Sequence, residues 1–218
     1  MLQRSFVPWI LGSALAAFMA LVPFLYYRAN YETHKRLHVV EANKLYRSGC
    51  MTVAGFEDAI RKFGIKTVLN LQEESPDPEL PVCYLSGTTE KESEMCRRLG
   101  VKYDFLVVDL KPPHEDGTPP DAIERFCRLM DDPANWPVLV HCRAGLHRTG
   151  VLVAAYRMQY NGWSRQAALG ELRGLGFGRM QSYSPNEYIR QYILNFEPRP
   201  RNAAAPRGNA VRLVGRGE

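Results

Sequence analysis

The sequence predicts an α/β fold: a central, mostly parallel, twisted sheet flanked by helices and preceded by one transmembrane helix. Three observations lead there. Short apolar runs of strand length (Ile65 to Leu71, Val101 to Asp109, Pro137 to Val140) alternate with longer segments of helical periodicity. Parallel neighbours need a crossover between them, and helices supply it. The stretch from Phe6 to Tyr27 holds no charged residue and is long enough to cross a bilayer. The expected organisation is a flank over 1–5, an anchor over 6–27, a linker over 28–38, the α/β domain over 39–196 and a basic tail over 197–218.

In the anchor, Trp9, Tyr26 and Tyr27 fall where interfacial aromatics sit, and Pro8 and Pro23 lie near the ends. A cleaved signal peptide is the competing reading, with Ala14-Leu15-Ala16 as its cleavage site, but the apolar run continues well past it. Arg4 precedes the segment, while Arg28, His34, Lys35 and Arg36 follow it. The excess of cations after the anchor places the larger part of the chain in the cytoplasm.

Val39 to Arg47 reads as a first strand or strand pair ending in L-Y-R-S-G. Thr52 caps a helix through Phe63, stopped by Gly64, and Ile65 to Leu71 is a buried strand. Gln72 to Gly87, with prolines at 76, 78 and 81, is a loop. Thr88 or Thr89 then opens a helix ending at Gly100, with Glu92 as the capping-box partner of Thr89. Val101 to Asp109 is the next strand, and a helix starts from Pro119. After the strand Pro137 to Val140, Gly150 to Tyr160 is a largely buried helix. Ser164 caps a helix to Arg173, and Ser184 caps another to Phe196 with Glu187 as its partner. Leu169, Leu172, Tyr188, Ile189, Tyr192 and Ile193 should pack these two helices on the sheet.

Five cysteines (Cys50, Cys83, Cys96, Cys127, Cys142) form no CxxC pair and no metal-ligand spacing. The odd count argues against a disulfide framework and fits a reducing compartment. No metal and no cofactor is expected. The net charge of +5 is modest and sits partly at the ends, so no nucleic-acid partner is expected. The tail from Glu197, rich in Pro, Gly, Ala and Arg, should be disordered, and either touches anionic headgroups or merely solubilises.

The chemistry concentrates between His141 and Thr149, H-C-R-A-G-L-H-R-T, followed by Gly150. This stretch lies at the carboxyl end of a strand and the amino end of a helix, where backbone N–H groups are unpaired and the helix dipole is positive. Arg143, Ala144, Gly145, Leu146, His147 and Arg148 therefore line an anion cradle. Cys142 opens it, and a thiol among N–H donors and cations is favoured as the thiolate. Arg148 closes it with a planar fork suited to two phosphate oxygens. Gly145 lets the backbone turn with its amides inward. Thr149 offers a hydroxyl to the sulfur as it leaves, and His141 can help set the ionisation of the thiol. A buried structural Cys beside a surface Arg is the plain alternative.

The pattern C-x5-R-T inside H-C-x-A-G-x-x-R-T-G resembles the signature of the cysteine-dependent protein tyrosine and dual-specificity phosphatases. The run R-S-G, a helix and G-I-K-T-V-L-N-L is similar to the opening of fungal, plant and bacterial dual-specificity-type members, which extends the resemblance upstream. A rhodanese-like sulfur-transfer loop also pairs Cys with a strand-to-helix turn, but usually differs in length and lacks the hydroxyl after the Arg. The resemblance implies phosphomonoester hydrolysis through a cysteinyl-phosphate intermediate, acting on phosphorylated proteins. The alternative is an inositol phosphate, phosphoinositide or phospholipid headgroup, and a non-catalytic phosphate-binding module is a reading of another class.

Such a reaction needs a general acid from another loop. Asp109 ends a strand, and Asp116 lies in E-D-G-T-P-P. The D-G-x-x-P context resembles the acid-bearing turn of several dual-specificity phosphatases and favours Asp116, with Asp109 or Glu115 as alternatives. A turn aspartate ahead of a proline-started helix is the plain reading of Asp116. His147 should attract anions from within the cradle, His114 is a solvated loop residue, and Arg143 faces the rim. Gln181 resembles the water-orienting glutamine of some tyrosine phosphatases, though an exposed loop Gln is the simpler reading.

Overall fold

The computed structural model describes residues 6–28, 33–72, 91–106, 121–177 and 185–200. Among these residues, five short strands form one sheet: β1 (His38–Glu41), β2 (Leu45–Gly49), β3 (Thr67–Asn70), β4 (Lys102–Phe105) and β5 (Val138–Cys142). Their order is β1-β2-β5-β3-β4, with β1 antiparallel to β2 and every other pairing parallel. The expected strand pair before Arg47 is therefore a hairpin on the edge of an otherwise parallel sheet. β5 lies at the centre and is buried along its whole length, as a continuous apolar run requires. In register, Gly49 stands opposite Cys142 on one side, and Asn70 opposite His141 on the other.

Side chains alternate across a strand. Val138, Val140 and Cys142 join one core, whereas Leu139 joins the core on the other face. Helices α2 (Val53–Phe63) and α3 (Glu92–Arg98) cover the Leu139 face through Phe56, Ala59, Ile60, Met95 and Cys96. Helices α4 (Asp121–Asp131), α5 (His147–Tyr160), α6 (Arg165–Gly174) and α7 (Pro185–Asn195) belong to the other face. The Thr52 hydroxyl caps α2 by accepting from the Gly55 N–H at 3.2 Å, and Ser164 caps α6 by accepting from Ala167 at 3.2 Å.

Three expectations need correction. α3 begins at Glu92 among the described residues, where the Lys91 N–H donates to the Glu94 carboxylate at 3.3 Å. Glu92 is the first helical residue, with Lys91 as the N-cap and Glu94 at the third position, and its carboxylate meets His141 at 2.7 Å; Thr88 and Thr89 lie outside the described residues. α5 begins at His147 rather than Gly150, so Arg148 and Thr149 occupy its first turn. α6 and α7 pack mainly on α5 and on each other, and of the three it is α5 that lies closely against β5 and β2. Leu169, Leu172, Tyr192 and Ile193 are buried as expected, in the core that also holds side chains of β5 and α5. Ser184 and the side chains of Glu187, Tyr188 and Ile189 lie outside the described residues.

Ahead of the sheet, α1 (Val7–Tyr27) buries none of its residues, and its large apolar side chains are exposed. At 1.5 Å per residue, its 21 residues extend about 32 Å, close to a hydrocarbon core of about 30 Å. It is the one described helix long and apolar enough to cross a membrane. Pro8 sits in the first turn, where its missing N–H costs nothing, and the helix carries through Pro23.

Candidate active site

β5 ends at Cys142 and α5 begins at His147, so four residues bridge them. The carbonyls of that bridge are held from behind. Arg143 O accepts from the Cys50 N–H at 3.1 Å, Ala144 O from Arg36 Nη1 at 3.0 Å, and Gly145 O from Arg47 Nη2 at 2.7 Å. In a trans peptide the N–H points opposite its carbonyl. Tying back these three carbonyls therefore turns the N–H groups of Ala144, Gly145 and Leu146 the other way. The one such bond among described atoms confirms the direction: the Gly145 N–H donates to Cys142 Sγ at 3.3 Å.

Gly145 is required here for two reasons. Its φ of 70° is left-handed, where a side chain is strained. A Cβ would also stand 2.5 Å from the Gly49 nitrogen and 2.6 Å from the Ser48 carbonyl.

Cys142 is buried, at 5% exposure, on the α5 face of the sheet. Arg148 is half-buried, and its Nη1 donates to the Leu71 carbonyl at 3.1 Å, just past the end of β3. That bond aims the guanidinium across the carboxyl ends of the parallel strands, where ligands of such sheets bind. Thr149 is fully buried, and its hydroxyl has no partner among the described residues. Arg143 is exposed, whereas Ala144, Leu146 and His147 are half-buried. The His147 ring packs edge-on against Phe177, centroids 5.6 Å apart.

His141 lies on the other face of β5 from the sulfur. Its Nε2 meets Glu92 Oε1 at 2.7 Å, its ring stands edge-on to Phe56 at 5.1 Å, and Nδ1 has no partner among the described residues. The Glu92 carboxylate also receives Asn70 Nδ2 at 3.5 Å, and Asn70 in turn reaches the Tyr103 hydroxyl at 3.0 Å. Any influence of His141 on the thiol therefore runs through the backbone they share and through charge, not through a side-chain contact.

Four residues behind the loop escaped the reading of the sequence. Arg47 is buried at 2% exposure in the middle of β2. Burial lowers its pKa to about 10, against the pull of Glu171 and Cys142, so it stays charged at neutral pH. The sequence marks Lys35 and Arg36 only as cations flanking the anchor, and Glu92 only as a candidate helix cap. A charged residue inside an apolar strand run was the available signal for Arg47; nothing local marked the others. Asp116, Asp109, Glu115, His114 and Gln181 lie outside the described residues. Among the described residues, no group of His, Cys, Asp or Glu is placed to hold a metal ion. Cys50, Cys96, Cys127 and Cys142 are free thiols, and burial pushes that of Cys127 up to about 12.

A family model described as a DSP-PTPase phosphatase fused to NAD+ kinase matches residues 24–186. OCA1 of Mycosarcoma maydis, a provisionally named tyrosine-protein phosphatase, is 31% identical over 69% of this chain and 86% of its own length. The inositol diphosphatase SIW14 of Saccharomyces cerevisiae is 28% identical over 71% of this chain, which spans only 50% of SIW14. Among solved structures, P. aeruginosa TpbA superposes with a TM-score of 0.54 at 21% identity, covering 74% of this chain and 84% of that one. That last likeness speaks to the fold.

Proposed function

This chain belongs to the DSP-PTPase family of cysteine-dependent phosphatases, and on that premise we propose that Cys142 is its nucleophile and Arg148 its phosphate clamp. The observation that carries the assignment is the Gly145 N–H aimed at Cys142 Sγ within a loop whose carbonyls at 143, 144 and 145 are drawn outward. A dianionic phosphate placed over the sulfur meets the amides of residues 143–148 and the Arg148 fork. These donors are fixed before the substrate arrives, which is what favours the charge of the transition state.

Cys142 attacks phosphorus in line, the S–P bond forms, and the bond to the leaving oxygen breaks as Asp116 hands that oxygen a proton. Water then attacks the cysteinyl phosphate, giving its proton to Asp116, and the sulfur departs as the thiolate. Thr149 donates its hydroxyl to that thiolate; the absence of another partner for it in the described fold supports this role. Asp116 rests on its D-G-x-x-P context, with Asp109 the alternative. His141 supports the loop from the far face through Glu92.

Phosphorylated protein is the first substrate class, in keeping with the name of OCA1. One observation favours a second: Lys35, Arg36 and Arg143 add positive charge beside the cradle. That surplus suits a polyphosphorylated inositol, free or as a lipid headgroup, in keeping with the name of SIW14. α1 is read as a single-pass anchor with the catalytic domain on the cytoplasmic side. The domain spans 39–196, and 197–218 is a basic tail. A cleaved signal is the competing reading of α1.

The test of the reaction is hydrolysis of an aryl phosphate in excess chelator by the wild-type chain and by Cys142→Ser. Turnover should be present in the first and abolished in the second. Equal turnover in both would remove Cys142 from the chemistry.

A further inference from the structure

Lys35 sits on the segment that leads from α1 into β1, and its backbone is seated at the site: its carbonyl accepts from the Gly49 N–H at 2.7 Å. Gly49 is level with Cys142 across β2 and β5. A Cβ at Gly49 would stand 2.9 Å from Lys35 Cγ and Cδ and 3.1 Å from the Ala144 carbonyl carbon. The missing side chain of Gly49 is therefore the passage by which the Lys35 stem crosses the end of β2 toward the loop. Arg36 follows in a left-handed conformation, φ 49°, which a residue with a side chain adopts only where its surroundings enforce it. From there its guanidinium reaches the Ala144 carbonyl. Two successive cations thus converge on the same loop.

The Lys35 ammonium is half-buried, and burial lowers its pKa, as do the charges of Arg36 and Arg143; Cys50 and Cys142 pull the other way. Among the described residues no carboxylate pairs with it. An ammonium drawn in beside two guanidiniums is stabilised when an anion comes to it.

We propose that Lys35, together with Arg143, forms a second anion subsite beside the cradle. The group it takes is a second phosphate close to the one removed, as on an inositol polyphosphate, free or as a lipid headgroup. The assignment rests on the second substrate reading above. Arg148 and the loop amides hold the phosphate that reacts; Lys35 and Arg143 hold its neighbour and thereby orient the ring. The linker between anchor and domain is then part of the substrate site.

The test uses the full chain in detergent, with p-nitrophenyl phosphate as reporter and orthophosphate and inositol hexakisphosphate as inhibitors. Lys35→Met should raise the Ki of inositol hexakisphosphate about tenfold more than that of orthophosphate, the loss of one charge-assisted contact. Lys35→Arg should recover most of that ratio. An unchanged ratio in Lys35→Met, or an equal rise for both inhibitors, would overturn the subsite, the second result marking Lys35 as a support of the loop. Turnover is then compared between free inositol polyphosphates, phosphatidylinositol bisphosphate in vesicles, and a phosphotyrosine peptide. Release from either inositol substrate supports the class and tells free ring from headgroup. Release from the peptide alone overturns the class, while the Ki ratio still judges the subsite.

Discussion

Arg47 Nη2 donates to the Gly145 carbonyl at 2.7 Å, joining residues 98 positions apart in the chain. A buried guanidinium beneath the loop pulls one carbonyl down and leaves the next amide facing up. Cys142 lies near enough to favour the charged form of that guanidinium.

Arg47→Met should therefore do more than loosen the fold. Losing a buried charge-assisted bond costs about 1.5–3 kcal/mol, visible in the denaturation midpoint. The kcat/KM for p-nitrophenyl phosphate should fall as well, because the Leu146 amide loses the anchor that turns it toward the sulfur. Arg47→Lys, which keeps the charge and loses the fork, should recover part of both losses.

Gly145→Ala places a Cβ against Ser48 and Gly49 at a left-handed position. Backbone strain of this kind costs about 1–3 kcal/mol, and the loop can relieve it only by turning its amides away from the sulfur. The expected result is a fall in kcat/KM of about tenfold to a hundredfold, since each 1.4 kcal/mol is a factor of ten in rate. Circular dichroism should show the sheet and helices retained. Steady-state kinetics on p-nitrophenyl phosphate read the loss.

Glu41 ties the edge hairpin to α5. Burial pushes its pKa up, but hydrogen bonds from Lys44, from Asn161 Nδ2 at 2.9 Å and from the Tyr156 hydroxyl at 2.7 Å outweigh it and hold the carboxyl near 2. A carboxyl depressed in the folded state contributes stability that is fully present above its ordinary pKa of about 4.5 and is lost as pH falls toward 2. The melting temperature of the wild type should fall across that window. Glu41→Gln should melt lower near neutrality and show a shallower fall.

Cysteine labelling separates the reactive thiol from the inert one. With its pKa pushed up to about 12 by burial, Cys127 holds negligible thiolate near neutral pH. Brief iodoacetamide treatment followed by peptide mapping should find Cys142 modified and Cys127 untouched. Orthophosphate should slow the reaction at Cys142.

The sulfur, the guanidinium and the turn between them were legible because they are packed into one short stretch. Gly145 and the strand before it follow from local rules alone. The start of α5 was misplaced because Leu146 gives it no capping side chain, so nothing in the sequence marks His147 as the first helical residue. Glu92 illustrates the opposite error: T-x-x-E spacing suggests a cap, yet Lys91 is the N-cap and the Glu92 carboxylate meets the buried imidazole of His141. Lys35, Arg36 and Arg47 act on residues about a hundred positions away, with Arg36 and Ala144 separated by 108. Their roles depend on β2 lying beside β5, a pairing that local periodicity does not report. Asp116 stands as the sequence left it.

The most direct measurement is acid quench of the full chain during turnover of an aryl phosphate in excess chelator, followed by peptide mapping. A phosphoryl group carried on the sulfur of Cys142, absent from Cys142→Ser, is the predicted result. Continued turnover with no phosphoryl group on that residue, or with one on another side chain, would contradict it.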